Sequence, residues 1–228
     1  MMKALLCLAL MLPAAADETF TVSGKVKLDG PIPRVKLNKQ LGDDQACCAL
    51  HLNVPPKEDL VVDAESGVRW AFVYIKAGLE GKKFAVPAES VLIDQVGCMY
   101  TPHVAGAMVG QVVKYRNSDP QLHNVHGLPF ASKEFNFGQT KGAVNDVKFQ
   151  AQEVMVKVKC EVHPFMASWM GVLEHPFFAV TDAAGKFEIK NLPPGNYTIG
   201  VWHETLKAED QKIVVKGAHT ANFTCVTK

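Results

Sequence analysis

Net charge is almost absent from this chain: 24 Lys and Arg stand against 23 Asp and Glu over 228 residues. That balance excludes the basic face that nucleic-acid binding calls for. There is no phosphate loop, no Gly-x-Ser-x-Gly elbow and no His-Glu-x-x-His pair, so the chemistries those motifs perform have no footing here. Heptads, low-complexity tracts and long amphipathic helical patterns are missing too. Beyond the first dozen residues no apolar run is long enough to cross a bilayer, and no stable membrane insertion is expected. What the chain does have is an apolar fraction of 48%, enough for a real core. Its 17 Gly and 13 Pro are spread along the length, which suits many turns and an all-β build.

Residues 1–16 read as a secretory leader. Lys3 supplies a positive start, residues 4–12 are apolar, and Ala14-Ala15-Ala16 offers a small-residue cleavage site before Asp17. Cys7 lies inside the apolar stretch, too early for a lipid anchor. Loss of the leader removes Lys3 and leaves 23 basic and 23 acidic residues. The expected location is exported, periplasmic or extracellular. Of the six cysteines, Cys47, Cys48, Cys98, Cys160 and Cys225 then remain, and an odd number in an exported protein implies one thiol with another job. Neighbours such as Cys47 and Cys48 rarely pair with each other, because disulfide geometry asks for a wider Cα separation. A disulfide from Cys98 to Cys47 or Cys48 is the favoured expectation in an oxidising compartment. The rival is a second metal site from Cys98, His103 and His51.

Alternation and turn residues place strands at 19–28, 68–76, 91–94, 104–108, 112–117, 134–138, 147–150, 154–160 and 170–173. A loop with at most one short helix is expected over 38–60. Residues 177–189 read as a hairpin about Asp182-Ala183-Ala184-Gly185, with further strands at 197–203, 212–216 and 220–226.

The most informative residues sit at the end of the strand over 154–160. Cys160-Glu161-Val162-His163-Pro164-Phe165-Met166 spaces a thiol, an imidazole and a thioether as Cys-x2-His-x2-Met, and His123-Asn124-Val125-His126 lies upstream. Soft sulfur suits Cu(I), imidazole suits both copper oxidation states, and a trigonal His2Cys set with a weak axial Met is the ligand set of a blue-copper electron-transfer site. It also gives the odd cysteine its job. His123 and His126 compete for the upstream position; three apart in an extended segment, they point to opposite faces.

These paired motifs resemble the plastocyanin/amicyanin branch of the cupredoxins over roughly residues 104–173. The resemblance implies a Greek-key β-sandwich with one type 1 copper held by His123, Cys160, His163 and axial Met166. It also implies that the Asn124 backbone N–H hydrogen-bonds the Cys160 sulfur and that His163 is the solvent-edge ligand through which electrons pass. The family pattern puts the ligand directly before Asn, so His126 is expected to be a packed or hydrogen-bonded neighbour. Phe165 and Trp169 are expected to keep water from the metal. Residues 91–103 followed by Asn117-Ser118-Asp119-Pro120 also resemble exported bacterial plastocyanin-like proteins. The flanks resemble a transthyretin-like, carboxypeptidase-regulatory-like β-sandwich, in Ser23-Gly24-Lys25-Val26 with Gly30-Pro31, in residues 181–187, and in Leu192-Pro193-Pro194-Gly195-Asn196-Tyr197. Multicopper oxidases and copper nitrite reductases resemble cupredoxins as well, but need His beside the Cys; here Lys159 and Glu161 flank Cys160. His175 and His203 read as surface residues.

The expectation is therefore an all-β, non-enzymatic protein. After the leader come a β segment at 17–87, a cupredoxin domain at 88–174 and a transthyretin-like segment at 175–228. The flanks either form one sandwich with the copper domain inserted, or two domains follow in series. The expected function is single-electron transfer between a donor and an acceptor protein; the alternatives are a copper carrier, or a structural sandwich in which copper only stabilises the fold.

Overall fold

The computed structural model describes residues 18–228; the leader lies outside them. The described chain is all-β, with two helices of four and five residues, and its strands form two β-sandwiches.

The first sandwich draws on both ends of the chain. One sheet orders Lys186–Leu192, Phe20–Leu28, Phe223–Thr227 and Leu206–Lys207, with His219–Thr220 also pairing with Phe20–Leu28. The facing sheet orders Phe178–Val180, Phe72–Ala77, Gly195–Trp202 and Gln211–Val215. The strands form because alternate residues have a core to face. Along Lys186–Leu192, Phe187 and Ile189 are buried while Lys186, Glu188 and Lys190 face water, and Ile213 and Val215 do the same in Gln211–Val215. These side chains meet Val22, Val26, Val73, Ile75, Ile199 and Phe223 in one apolar core.

Two sequence expectations shift here. The strand foreseen over 68–76 begins only at Phe72. Trp70 adopts a left-handed backbone at φ 66°, which a strand cannot continue through. Residues 68–71 instead form an arch pinned by buried Thr181, whose hydroxyl donates to the Val68 carbonyl (2.7 Å) and accepts from the Ala71 N–H (2.9 Å). The hairpin foreseen over 177–189 is not one either. The turn at Asp182 closes with a 3.0 Å bond from the Gly185 N–H. Phe178–Val180 pairs with Phe72–Ala77, however, and Lys186–Leu192 pairs with Phe20–Leu28, so the chain crosses from one sheet to the other.

The second sandwich is contained between Phe72–Ala77 and Phe178–Val180 in the sequence. One sheet orders Val104–Met108, Ala167–Leu173, Glu153–Lys159, His123–Leu128 and Phe135–Gln139; the other orders Tyr100–Thr101, Val91–Gln95, Val113–Asn117 and Val144–Val147. Two neighbouring pairs are parallel, which requires crossovers rather than a simple meander. Its core includes Ile93, Tyr115, Val125, Phe149, Val156 and Val158. The strand expected at 147–150 lies instead at Val144–Val147. It is an edge strand exposed almost throughout, so no inward-facing alternation marks it in the sequence.

The two sandwiches meet at Phe72, Val104, Met155 and Leu173, a buried cluster of its own. Gly106 and Gly171 face each other in neighbouring strands. A Cβ on Gly106 would come within 2.3 Å of the Phe178 ring, and one on Gly171 within 2.4 Å of the Phe72 ring. The absent side chains let those stacked rings lie flat on the second sandwich.

Candidate metal centre

The upstream candidate, His123, is delivered by a turn that Asn117 holds. Its side-chain amide donates to the carbonyls of Gln121 and Gln139, both at 2.8 Å, and its oxygen accepts from the Asp119 N–H at 2.9 Å. The strand His123–Leu128 starts directly after this turn, with His123 and Val125 inward and Asn124 and His126 outward. Asp119 accepts from the Gly97 and Cys98 backbone N–H groups, both at 2.7 Å, and from His123 Nε2 at 2.9 Å. Gly97 and Cys98 have left-handed φ values of 65° and 54°, a conformation in which both amides converge on one carboxylate. With Nε2 committed to Asp119, His123 turns Nδ1 towards the downstream loop.

That loop follows the strand Glu153–Lys159 and is closed by its own backbone. The Cys160 N–H donates to the Met166 carbonyl at 3.2 Å, and the Met166 N–H to the His163 carbonyl at 2.9 Å. Tyr100 ties loop and upstream strand together, its hydroxyl donating to the Asn124 carbonyl at 2.5 Å and lying 3.2 Å from that of Lys159.

The structure brings His123, Cys160 and His163 together: one donor atom from each lies within 4.8 Å of the others. His123 Nδ1 is 3.0 Å from His163 Nδ1, and Cys160 Sγ is 3.8 Å from His163 Nδ1. Two donors each about 2 Å from a shared ion in a trigonal plane stand roughly 3.5 Å apart, so these separations fit a metal among them. The Asn124 N–H points at Cys160 Sγ from 3.3 Å and the His163 N–H from 3.4 Å. Relative exposures are 0% for His123, 2% for Cys160, 7% for His163 and 1% for Met166, so the donor set is shielded from water. Met166 closes the loop and packs in the same core as Met170 and Val158.

Electrostatics couple the His123 ring to the Cys160 sulfur. Burial opposes a charge on His123, but Asp119 and the Cys160 sulfur overcome it and lift the imidazole to about 9. Burial likewise opposes a Cys160 thiolate; His123 and the N–H groups of Asn124, His163 and Val162 outweigh it and hold the thiol below its ordinary value. His163 is held low, by burial and then by the charge on His123. The Cys160 sulfur and the His123 ring thus favour each other's charge, while a charge on His163 is disfavoured.

Several expectations are corrected here. His163 is not at the solvent edge. The paired helices Lys39–Asp43 and Gln45–Cys48 cover it, with Asp44 Oδ2 4.0 Å from its Nε2. The Cys47–Cys98 disulfide anchors that cover and places its sulfurs beside the His163 ring. Cys48 and Cys225 are free. His51 bonds the Gly97 carbonyl at 2.7 Å, and His103 bonds Glu204 at 2.9 Å and the Ala167 carbonyl at 3.1 Å, so Cys98, His103 and His51 do not gather into one ligand set. His103 and Glu204 instead line a cavity of about 230 Å³ beside Phe165 and Met166. Phe165 lies 5.6 Å from the His163 ring, but Trp169 packs on Trp202 at the junction of the sandwiches, away from the site. His126, in keeping with the expectation of a packed or hydrogen-bonded neighbour, turns outward and bonds Glu134 and Glu161. His175 and His203 are buried, not on the surface, bonded to the Ile75 carbonyl and to the Thr205 N–H. Asp119 was the residue missed; its signal is an acid four positions before the ligand His, hidden inside what reads as a plain Ser-Asp-Pro turn.

No protein-family model matches the chain, and no curated protein matches it in sequence. Among solved structures, part of the chain aligns with a Cu-containing nitrite reductase from Thermus scotoductus SA-01 (19% identity, 43% of this chain and 26% of that one, TM-score 0.36). A purple cupredoxin from Nitrosopumilus maritimus aligns at 22% identity over 36% of this chain and 97% of that one, with a TM-score of 0.31. A reduced amicyanin variant aligns at 21% identity over 44% and 97%, with a TM-score of 0.34. The chain thus spans about a quarter of the reductase. At these scores the likenesses carry no weight in assigning chemistry. Among the described residues no helix is long and apolar enough to cross a membrane.

Proposed function

We propose that this protein is an exported, non-enzymatic electron carrier with one type 1 copper in a cupredoxin-like sandwich, set into a transthyretin-like scaffold formed by the two flanks. The observation that carries the reading is the buried convergence of His123, Cys160 and His163 donors within 4.8 Å. Copper bound there would supply a one-electron couple, held by His123, Cys160 and His163 with the Met166 thioether as a weak further donor. The chain's own residues do the rest. Asp119 holds His123 by Nε2 and leaves Nδ1 for the metal. The Asn124 and His163 amides spread the charge of the Cys160 thiolate. The short closed loop 160–166 fixes its ligands on rigid backbone, so the set rearranges little between oxidation states. Burial of all four side chains shields the donors from water, which favours transfer over catalysis. The same closure disfavours a carrier that must exchange its metal readily.

The test is the visible spectrum of the copper-loaded, oxidised protein beside a Cys160→Ser control. An intense thiolate-to-Cu(II) charge-transfer band, absent from the control, is expected; a pale tetragonal spectrum in both would sink the reading. Met166→Gln should keep the band and shift the reduction potential. An unchanged potential would remove Met166 from the ligand set.

A further inference from the structure

The cover over His163 contains a second set of metal donors, at present locked in a disulfide. Cys47 Sγ, Cys98 Sγ and a ring nitrogen of His163 lie within 4.8 Å of one another, all three residues buried. His163 therefore belongs to two triads, one completed by His123 and Cys160 and the other by the disulfide cysteines.

We propose that reduction of the Cys47–Cys98 disulfide turns the second triad into a Cu(I) site, and that the oxidation state of this pair thereby sets where the protein holds copper. Two thiolates and an imidazole form a soft donor set of the kind that suits Cu(I), whereas a disulfide lacks the thiolate charge that binds it. The conversion is balanced by an external dithiol or phosphine. Two electrons and two protons cleave the S–S bond to two thiols, the reductant is oxidised by two electrons, and Cu(I) binding then displaces the thiol protons to solvent.

The two sulfurs do not depend on their mutual bond for position. The Cys47 N–H donates to the Asp44 side chain at 3.0 Å, which caps the helix Gln45–Cys48. The Cys98 N–H is held by Asp119 at 2.7 Å, the carboxylate that also holds His123. Breaking the S–S bond leaves both backbone anchors intact, so the thiols stay beside His163. Sharing of that imidazole couples the two sites. This extends the copper reading above, yet it does not need Cys160, so the two can fail separately.

The experiment uses the full chain with Cys160→Ser, which removes the first triad's thiolate and keeps the second triad. Cu(I) is added without oxygen, before and after treatment with a phosphine that is then removed, and its retention is measured against bathocuproine disulfonate. Thiol titration verifies two new thiols per chain, and circular dichroism reports the fold. The expected result is one Cu(I) per chain retained only after reduction. X-ray absorption should show sulfur and imidazole scattering. Adding Cys47→Ser with Cys98→Ser, or His163→Ala, should abolish the gain. The proposal is overturned by no gain despite two new thiols, by Cu(I) retention that survives Cys47→Ser with Cys98→Ser (Cys48 would then be the ligand), by a gain that survives His163→Ala, or by a gain seen only when the strand signal has collapsed. If wild type shows no charge-transfer band but reduced Cys160→Ser protein gains Cu(I), the electron-carrier reading fails and this one stands.

Discussion

The two sandwiches share an architecture and differ in what they bury. The one formed by the flanks encloses an almost wholly apolar core, with few buried polar side chains, His175, Thr181 and His203 among them. The inserted one buries Asp94, Gln95, Asn117, Asp119, His123, Gln139 and His163 beside its apolar residues. Two buried cysteines make the contrast plain. Cys225, among apolar neighbours, has its thiol pushed up to about 11 by burial. Cys160 is equally enclosed, yet His123 and three backbone amides hold it below its ordinary value. Burial by itself makes a thiol inert; burial with directed donors favours its thiolate form. A scaffold can be stabilised by apolar area alone, but a site has to include polar groups and satisfy each of them.

The strongest way to break this comparison is Asp119→Ala. It leaves the Gly97 and Cys98 amides and His123 without their shared acceptor inside the inserted sandwich. A loss of about 5 kcal/mol in the metal-free protein is expected from urea titration. A loss below about 1 kcal/mol would mean that the polar cluster is not what holds this end of the sandwich. Next comes Cys47→Ala with Cys98→Ala. The bond closes a 51-residue separation, and chain entropy puts its contribution at roughly 4 kcal/mol. Cys225→Ala in the flanking core serves as the comparison, where only the loss of a small apolar group should register.

Acid probes the flanking sandwich through His203, which burial lowers to about 4. The sign follows from a neutral folded imidazole. Above the ordinary value of 6.5 neither state is protonated and the full stability is present. As pH falls from 6.5 to about 4 only the unfolded chain takes up the proton, and about 3 kcal/mol is lost. Denaturation midpoints across that window should fall in wild type and fall less in His203→Gln; identical slopes would assign the acid sensitivity elsewhere. The smallest effect is expected from Thr181→Val, which unpairs the Ala71 amide and the Val68 carbonyl at the arch. It should cost about 1.5 kcal/mol without changing metal binding, read by calorimetry and by metal titration.

Most strands were legible because alternation against a core leaves a period of two, and 104–108 was read to the residue. The edge strand Val144–Val147 was not, since it faces water on both sides. The arch over 68–71 was not, because its cause is a threonine 110 residues from Ala71. The downstream loop was legible for the opposite reason. Cys160, His163 and Met166 lie within seven residues, and their spacing is itself the chemistry.

The sequence by itself therefore determined the β build, the loop 160–166 and the candidate donors, since each is written in local period, turn residues or spacing. Only the tertiary structure decided that strands from both ends share one core, that Asp119 orients His123, and that two small helices and the Cys47–Cys98 bond close over His163. Apart from the Asp119–His123 bond, those outcomes join residues tens to nearly two hundred positions apart. No local propensity encodes such pairings; they come from which buried polar groups can satisfy one another once the strands have packed.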